Sequence, residues 1–465
     1  MIEQDKLLTT SIRDISEGKK IIQIMHAALM AVDADVAVRR FVYRKEDKLS
    51  FSDRLFDLTE INRIYLIATG KASVPMASAI NEIIGDLLTA GIVITKAGNN
   101  NDSHVWINNT DKLLVYQASH PIPDETSLLG SSQIIKLLEN ASNNDLVIIL
   151  LSGGSSALST KPVDGVSLAD MQALTNLLLS CGASINEINT IRKHLDKVKG
   201  GRLTELASPA TVVTLVLSDV VGNPIDIIAS GPTVADPTTY EQALGILDKY
   251  QLTTKVPASI QLFLKDGVSG INPETPKPGN PIFHKSEYFI IGSNYLAAQA
   301  AVDKAKDFGF NSLLLTTYLQ GEACQVGKVI AAITRQILIH DQPLSKPACL
   351  VAAGETTVTL NKDPSKKTGL GGRNQELALS CIIELAGCLN FAIISLATDG
   401  SDGPTNAAGA VITDKTLLRA KQSNLDPIEF LNHHDTYHFF EQLGDLLKPG
   451  STQTNVNDLV FVFCF

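Results

Sequence analysis

Several short stretches of this sequence carry residues whose chemistry goes beyond packing. Leu151-Ser-Gly-Gly-Ser-Ser156 closes the apolar run that starts at Leu146, and two glycines after a strand let consecutive N–H groups aim at one point, a cradle for a carboxylate or phosphate. Ser152, Gly153, Gly154, Ser155 and Ser156 are therefore candidate anion-binding residues, although Gly and Ser also punctuate ordinary strand-to-helix turns. Ala68-Thr-Gly-Lys-Ala-Ser73 follows a strand as well. Its Lys71 is no P-loop lysine, since G-x-x-x-x-G-K-[ST] needs glycine at 65 and Ser or Thr at 72, where the chain has Tyr65 and Ala72. From the carboxyl edge of a strand it can still meet a phosphate as a point charge, or it is an exposed surface lysine.

Leu217-Ser-Asp-Val-Val-Gly-Asn-Pro places Asp219 just past a strand, with Asn223 close behind. A carboxylate there can accept a hydroxyl proton or hold Mg²⁺, or simply make an Asx turn. Ile191-Arg-Lys-His-Leu-Asp-Lys-Val-Lys-Gly-Gly-Arg202 reads as a basic helix end capped by Gly200-Gly201, with most of its lysines solvated. Arg192 and Lys193, earliest on that helix, are the candidates for substrate contact. Further on, Glu355 in Gly-Glu-Thr and Arg373 with Asn374 behind two glycines set polar groups beside buried runs, and a guanidinium there can hold anionic oxygens in bidentate fashion. The stretch 398–405, TDGSDGPT, is by itself a polar turn after the apolar run 391–397. His433, His434 and His438 lack the carboxylate or cysteine spacing of a zinc site. Neither G-x-G-x-x-G after a strand nor a G-x-S-x-G elbow is present.

The elements that must position these residues are short β-branched runs alternating with helical patterns. Continuous apolar runs at 64–68, 91–95, 113–116, 146–151 and 211–217 fit strands covered on both faces, hence a mostly parallel sheet, with helices predicted at 74–89, 127–140, 167–181 and 186–199. The Gly- and Pro-dense stretch 265–281 reads as a domain boundary, giving domains 1–280 and 281–465. Strands predicted at 288–291, 312–316, 349–352, 358–360, 392–395 and 459–463 are closely spaced, so a mixed sheet is expected in the second domain. The 465 residues, 44% hydrophobic and 19% charged, suit two soluble domains. A net charge of −10 argues against nucleic-acid or anionic-membrane partners. The six scattered cysteines read as reduced thiols, and the charged N-terminus shows no secretory signal, so a cytoplasmic protein is expected.

Taken together, the stretches ATGKAS, HPIPDE, SGGSSAL, IRKHLDKVKGGRL, SDVVGNPIDIIASGPT, GEACQVG, GETTV, GGRNQELAL, ATDGSDGPTNAAGA and TNVNDL resemble, in this order, the type 2 glycerate kinases, whose C-terminal part is called the MOFRL domain and whose members are sometimes labelled hydroxypyruvate reductases. The resemblance implies an α/β chain of two domains: a Rossmann-like three-layer N-terminal domain of the DUF4147 kind and a smaller C-terminal domain with a mixed sheet, the active site in a cleft between them. It implies transfer of the γ-phosphoryl of ATP, with Mg²⁺, to the 2-hydroxyl of D-glycerate. Lys71, Asp219 and Arg373 match the charged positions of that family's cleft and are the expected catalytic residues. In such a setting Asp399 and Asp402 become the expected Mg²⁺ ligands, with the turn as the alternative. Departures are visible. Ser119 and Ser155 stand where the family has glycine, and Asn223 and Asn406 where it has aspartate. Two other functions are weighed: NAD(P)H-dependent reduction of hydroxypyruvate, which lacks its dinucleotide fingerprint, and a non-catalytic sensor of small anions. Oligomeric state is left open, a homo-oligomer included.

Overall fold

A computed structural model describes residues 3–98, 112–360 and 368–465. The chain forms two compact units, one of residues 37–291 and one that joins 1–36 to 292–465.

The unit 37–291 opens with a small antiparallel sheet, β1 (Val42–Lys45), β2 (Lys48–Phe51) and β3 (Arg54–Asp57). Its main sheet contains β4 (Arg63–Thr69), β5 (Leu88–Lys96), β6 (Leu113–Ala118), β7 (Asp145–Leu151), β8 (Thr211–Leu217) and β9 (Ser286–Gly292), in the order β6-β5-β4-β7-β8-β9. The strands β4 to β8 run parallel. The first three wind outward from β4 in one direction and β7 and β8 in the other, so the connections diverge between β4 and β7. In open parallel sheets the ligand crevice lies at that switch, beyond the carboxyl ends of the strands. All seven residues of β7 are buried, as are six of seven in β4 and β8, which is why these runs lack the polar alternation of a one-sided sheet. The helix Ser73–Ile84 follows β4 and Glu125–Leu138 follows β6, the latter begun by a capping box of Asp124 and Ser127.

The other unit holds a six-stranded mixed sheet of β10 (Asn311–Glu322), β11 (Ala348–Thr357), β12 (Phe391–Ala397), β13 (Gly409–Thr413), β14 (Leu446–Leu447) and β15 (Asp458–Cys464), in the order β10-β11-β15-β12-β13-β14. Only β10 and β11 pair in parallel, and the remaining pairs are antiparallel.

The division differs from the one expected at 280/281. Residues 1–36 belong with the C-terminal sheet because the helix Gly18–Met30 buries Ile21, Ile24, Met25 and Ala28 in one core with Ala297, Ala298, Ala301, Phe461 and Phe463. Ser11 adds polar ties, its N–H and hydroxyl both donating to the buried Asp445 at 2.8 Å. The run 288–291 is the edge strand β9 of the first sheet, and 265–281 lies wholly inside the unit 37–291. Residues 358–360 form no strand, since β11 ends at Thr357. The helix expected over 186–199 stops at His194, after which Asp196 bridges to Pro162. All six cysteines are free thiols. No single helix among the described residues is long and apolar enough to cross a membrane.

Candidate active site

Register across the parallel sheet brings its chemistry to one edge. Thr69 lies opposite Ile94 on β5 and Leu151 on β7, while Ile94 faces Tyr116 and Leu151 faces Val216. Just beyond this row come Lys96, Lys71, Gly153, His120 and Asp219, one from the end of each strand from β4 to β8. The loops after β4 and β7 are stitched together: Ser152 N–H donates to Thr69 O at 3.0 Å, Lys71 N–H to Gly153 O at 2.9 Å, and Ala72 N–H to Ser152 Oγ at 3.0 Å. Ser155, buried, turns its hydroxyl toward Thr69 O at 2.7 Å and Ser152 O at 2.6 Å, so it builds the loop and does not face a ligand.

Two glycines are required here. A Cβ on Gly153 would stand 2.3 Å from Asp219 Oδ2 and 2.9 Å from its Cγ, so the carboxylate lies directly on that glycine. Gly154 has φ +88°, and a Cβ there would lie 3.1 Å from His120 Cδ2, 3.3 Å from His120 Nε2 and 3.4 Å from Lys71 Cγ. The β7 loop thus touches Asp219 through one glycine and Lys71 with His120 through the next. Among the described residues, the N–H groups of Gly153, Gly154 and Ser156 donate to no protein acceptor. Unpaired N–H groups clustered in this way are donors of the kind an anion can accept from.

Burial raises the pKa of the Asp219 carboxyl, while the nearby Lys71 charge and the residue's own N–H pull it down. Burial pushes the His120 imidazole down to about 4, and the charges of Lys71, Lys96 and Arg192 push the same way, so it is neutral at pH 7. Arg192 is desolvated, with Asp196 as its opposing charge, and its guanidinium makes no hydrogen bond or ion pair among the described residues. Asn223, at φ +53° in the loop that carries Asp219, has a buried Oδ1 with no partner among the described residues. Ser156 accepts from Ser230 Oγ at 2.9 Å. Ser230 belongs to a segment, Ala229-Ser230-Gly231, with φ of 54°, 63° and 58°. Two consecutive non-glycine residues in the left-handed region are costly, and Gly200 and Gly201 hold the segment by donating to Ser230 O and Gly231 O at 3.0 and 2.7 Å.

Lys193 is not part of this group. Its side chain is fully buried, with Nζ 3.3 Å from both Asp226 Oδ2 and Asp236 Oδ1, which corrects the expectation of a substrate contact. Lys199 is likewise buried, 2.8 Å from Asp196, so this basic stretch is in good part internal framework and not a solvated face.

The remaining expected site residues lie in the other unit. Gly372 begins the helix Arg373–Glu384. Arg373 donates to Asp458 through Nε (2.5 Å) and NH2 (3.0 Å), and its NH1 lies 3.0 Å from Glu355 Oε1. The expected anion-ready guanidinium is therefore committed to two carboxylates, and its geometry is that of a residue that orders them. Burial lifts the Asp458 carboxyl to about 6 against the pull of Arg373. Glu355 also accepts from Asn457 Nδ2 at 3.2 Å. Asn374 is buried, accepting from Ser395 Oγ at 2.6 Å.

The two carboxylates expected at magnesium are differently engaged. Both oxygens of the buried Asp402 are occupied: Oδ1 accepts the N–H of Asn374 at 3.1 Å and Oδ2 that of Gln375 at 3.0 Å, with side-chain amides of the same two residues behind them. It caps a helix. Asp399 Oδ1 accepts Ser401 N–H at 3.0 Å, an Asx turn. Among the described residues, no three His, Cys, Asp or Glu side chains are grouped to hold a metal ion. The histidines near 434 pair singly, His434 with Glu376 and His438 with Asp435.

Sequence reasoning passed over His120 and Lys96. His120 was visible within HPIPDE, and Lys96 directly follows a predicted strand, the position from which Lys71 and Asp219 were chosen.

Fold and site define an α/β protein that gathers Lys71, Asp219 and a glycine loop with unpaired N–H donors at the switch point of a parallel sheet. Residues 20–265 match the family described as a domain of unknown function, DUF4147, and residues 348–458 match the MOFRL family. A glycerate 2-kinase of Pyrococcus horikoshii is 39% identical over 98% of both chains, and a D-glycerate 2-kinase of Thermotoga maritima is 41% identical over 90% of this chain and 96% of that one. The crystal structure of glycerate kinase from Thermotoga maritima superposes with a TM-score of 0.83 at 39% identity, covering 96% of this chain and 99% of the other. A protein from Agrobacterium vitis carrying a hydroxypyruvate reductase name is 36% identical over 96% of this chain and 94% of its own. The chain belongs to the glycerate kinase family, with a DUF4147 region followed by a MOFRL region.

Proposed function

We propose that the protein is an ATP-dependent glycerate 2-kinase, phosphorylating the 2-hydroxyl of D-glycerate. The observation that carries this is the contact of one loop, Gly153-Gly154, with a carboxylate on one side and a lysine on the other. Phosphoryl transfer asks a protein to place the acceptor in line and to stabilise spread negative charge, with little covalent work. Asp219, its pKa raised by burial, is a suited acceptor for the proton that leaves the attacking hydroxyl. Lys71 and the N–H groups of Gly153, Gly154 and Ser156 meet anionic oxygens, and Arg192 adds a charge with no ion pair of its own. Mg²⁺ accompanies the nucleotide phosphates in such reactions. Both oxygens of Asp402 are taken up at the start of the helix Arg373–Glu384, so it does not fit as a ligand, while Asp399 uses only Oδ1 in its turn.

A reductase acting on hydroxypyruvate is disfavoured by the turn after β4. At that place a dinucleotide-binding sheet carries its glycine fingerprint, and here the chain reads Thr-Gly-Lys-Ala-Ser. The two functions separate on one bench: D-glycerate with ATP and Mg²⁺ should yield ADP, and hydroxypyruvate should cause no NADH oxidation. Lys71→Ala should lower turnover by about 10²–10³-fold with the fold intact, as loss of a donor to developing charge does. Near-wild-type turnover in that variant would remove Lys71 from the mechanism.

A further inference from the structure

We propose that Lys96 and His120 join Lys71 and Arg192 to form the subsite for the polyphosphate chain of the nucleotide. This assigns a ligand within the kinase proposed above and rests on that reading.

The placement follows from register. Lys96, the last residue of β5, pairs with Ala118, the last of β6, and Ala97 N–H donates to Ala118 O at 3.0 Å. His120 comes two residues later, and its ring rests on Gly154 with the Nε2 edge toward the loop whose N–H groups have no protein acceptor. Lys71 flanks the same glycine. Arg192 reaches the group from the helix Ile185–His194, and its charge, like those of Lys71 and Lys96, is felt at the imidazole. Among the described residues, neither the His120 ring nor the Lys96 ammonium has a hydrogen-bond or ion-pair partner.

Charge then selects the ligand. The charges of three cations act on a neutral imidazole; Asp219 lies against the neighbouring Gly153, and Asp124 is turned to the N–H groups of Ser119 and Ser127. The single negative charge of a glycerate carboxylate leaves this set unbalanced. A polyphosphate, with several charges along an extended chain, matches cations spread over the ends of β4 and β5 and the helix Ile185–His194, with the glycine-loop N–H groups beside them. The uncharged imidazole donates one N–H to a phosphate oxygen without adding to the repulsion among the cations.

The test is calorimetric binding of inorganic tripolyphosphate, and separately of D-glycerate, to the full chain and to its Lys96→Ala and His120→Asn variants, with melting curves as the check on folding. Each substitution should weaken tripolyphosphate about tenfold or more, the loss expected for one charge-assisted hydrogen bond. D-Glycerate affinity should change less than about twofold in the same variants, and Lys96→Arg should restore much of the tripolyphosphate affinity. Unchanged tripolyphosphate binding in both variants, an equal loss for D-glycerate, or a wild-type chain that binds no tripolyphosphate would overturn the proposal. Because no turnover is measured, a chain that binds tripolyphosphate through these residues yet fails to phosphorylate glycerate would refute the kinase reading and leave the subsite standing.

Discussion

Asp402→Ala separates a metal ligand from a helix cap. In the wild type its carboxylate accepts the backbone N–H groups of Asn374 and Gln375 at 3.1 and 3.0 Å, together with Gln375 Nε2 at 3.0 Å. A Cβ on Gly372 would lie 2.3 to 2.5 Å from the same carboxylate, so that glycine exists to admit it. Losing an N-cap costs about 0.5–2 kcal/mol. Each buried donor stranded by the change adds about 1–3 kcal/mol. The side-chain amides can turn to other partners, and removing a carboxyl that burial holds up at about 6 gives some of the cost back. The net expectation is a loss of about 3–5 kcal/mol, or about 6–20 °C in the melting of the unit that contains it. Thermal denaturation with a probe in that unit, beside a titration of Mg²⁺ against turnover, reads both roles. Lowered melting with an unaltered Mg²⁺ requirement is expected of the variant. Unchanged melting with a Mg²⁺ requirement raised tenfold would restore the metal-ligand role and refute the cap.

Gly153→Ala drives a methyl into the Asp219 carboxylate, so turnover should fall about a hundredfold or more while melting shifts little, a steady-state comparison that near-normal turnover would contradict. Lys193→Met leaves the buried Asp236 without its cation and should cost about 3–5 kcal/mol, measured by urea denaturation, with the per-molecule activity of the folded fraction kept. For His120, folding depresses the pKa from 6.5 to about 4, so as the pH falls the unfolded chain takes the proton first. Its contribution is complete above pH 6.5 and is lost between 6.5 and 4. Between pH 7.5 and 5 the wild type should lose more stability than His120→Gln, by about 1 kcal/mol once solvent screening of the part-exposed ring is discounted, and equal losses in parallel urea titrations would show that the imidazole is not held neutral by burial and nearby cations.

The parallel sheet was legible because buried strands write continuous apolar runs, as β7 and β8 do. The edge strand β9 was given to the wrong unit because its run looks like any other and only pairing shows its sheet. The first 36 residues were assigned by chain order, whereas the apolar face of Gly18–Met30 finds its partners some 270 residues later, at Ala297 and Ala301. Lys71, Asp219 and the double glycine, chosen for their positions after strands, are brought together by the structure. The ion pairs of Lys193 and Arg373 were not legible, because composition does not say whether a cation is already paired, and Asp236 and Asp458 lie 43 and 85 residues away from them in sequence. Of the two aspartates of TDGSDGPT, Asp399 makes the local turn that the bare sequence suggests, whereas Asp402 reaches the N–H groups of Asn374 and Gln375, 28 and 27 residues away in sequence, a pairing that no local pattern announces.

The most direct test of the central claim is the product itself. Purified protein incubated with D-glycerate, ATP and Mg²⁺ should give, by ³¹P and ¹H nuclear magnetic resonance, a phosphate ester coupled to the proton on carbon 2, and Asp219→Asn should abolish it. An ester on carbon 3, or no ester at all from the wild-type chain, would contradict the account.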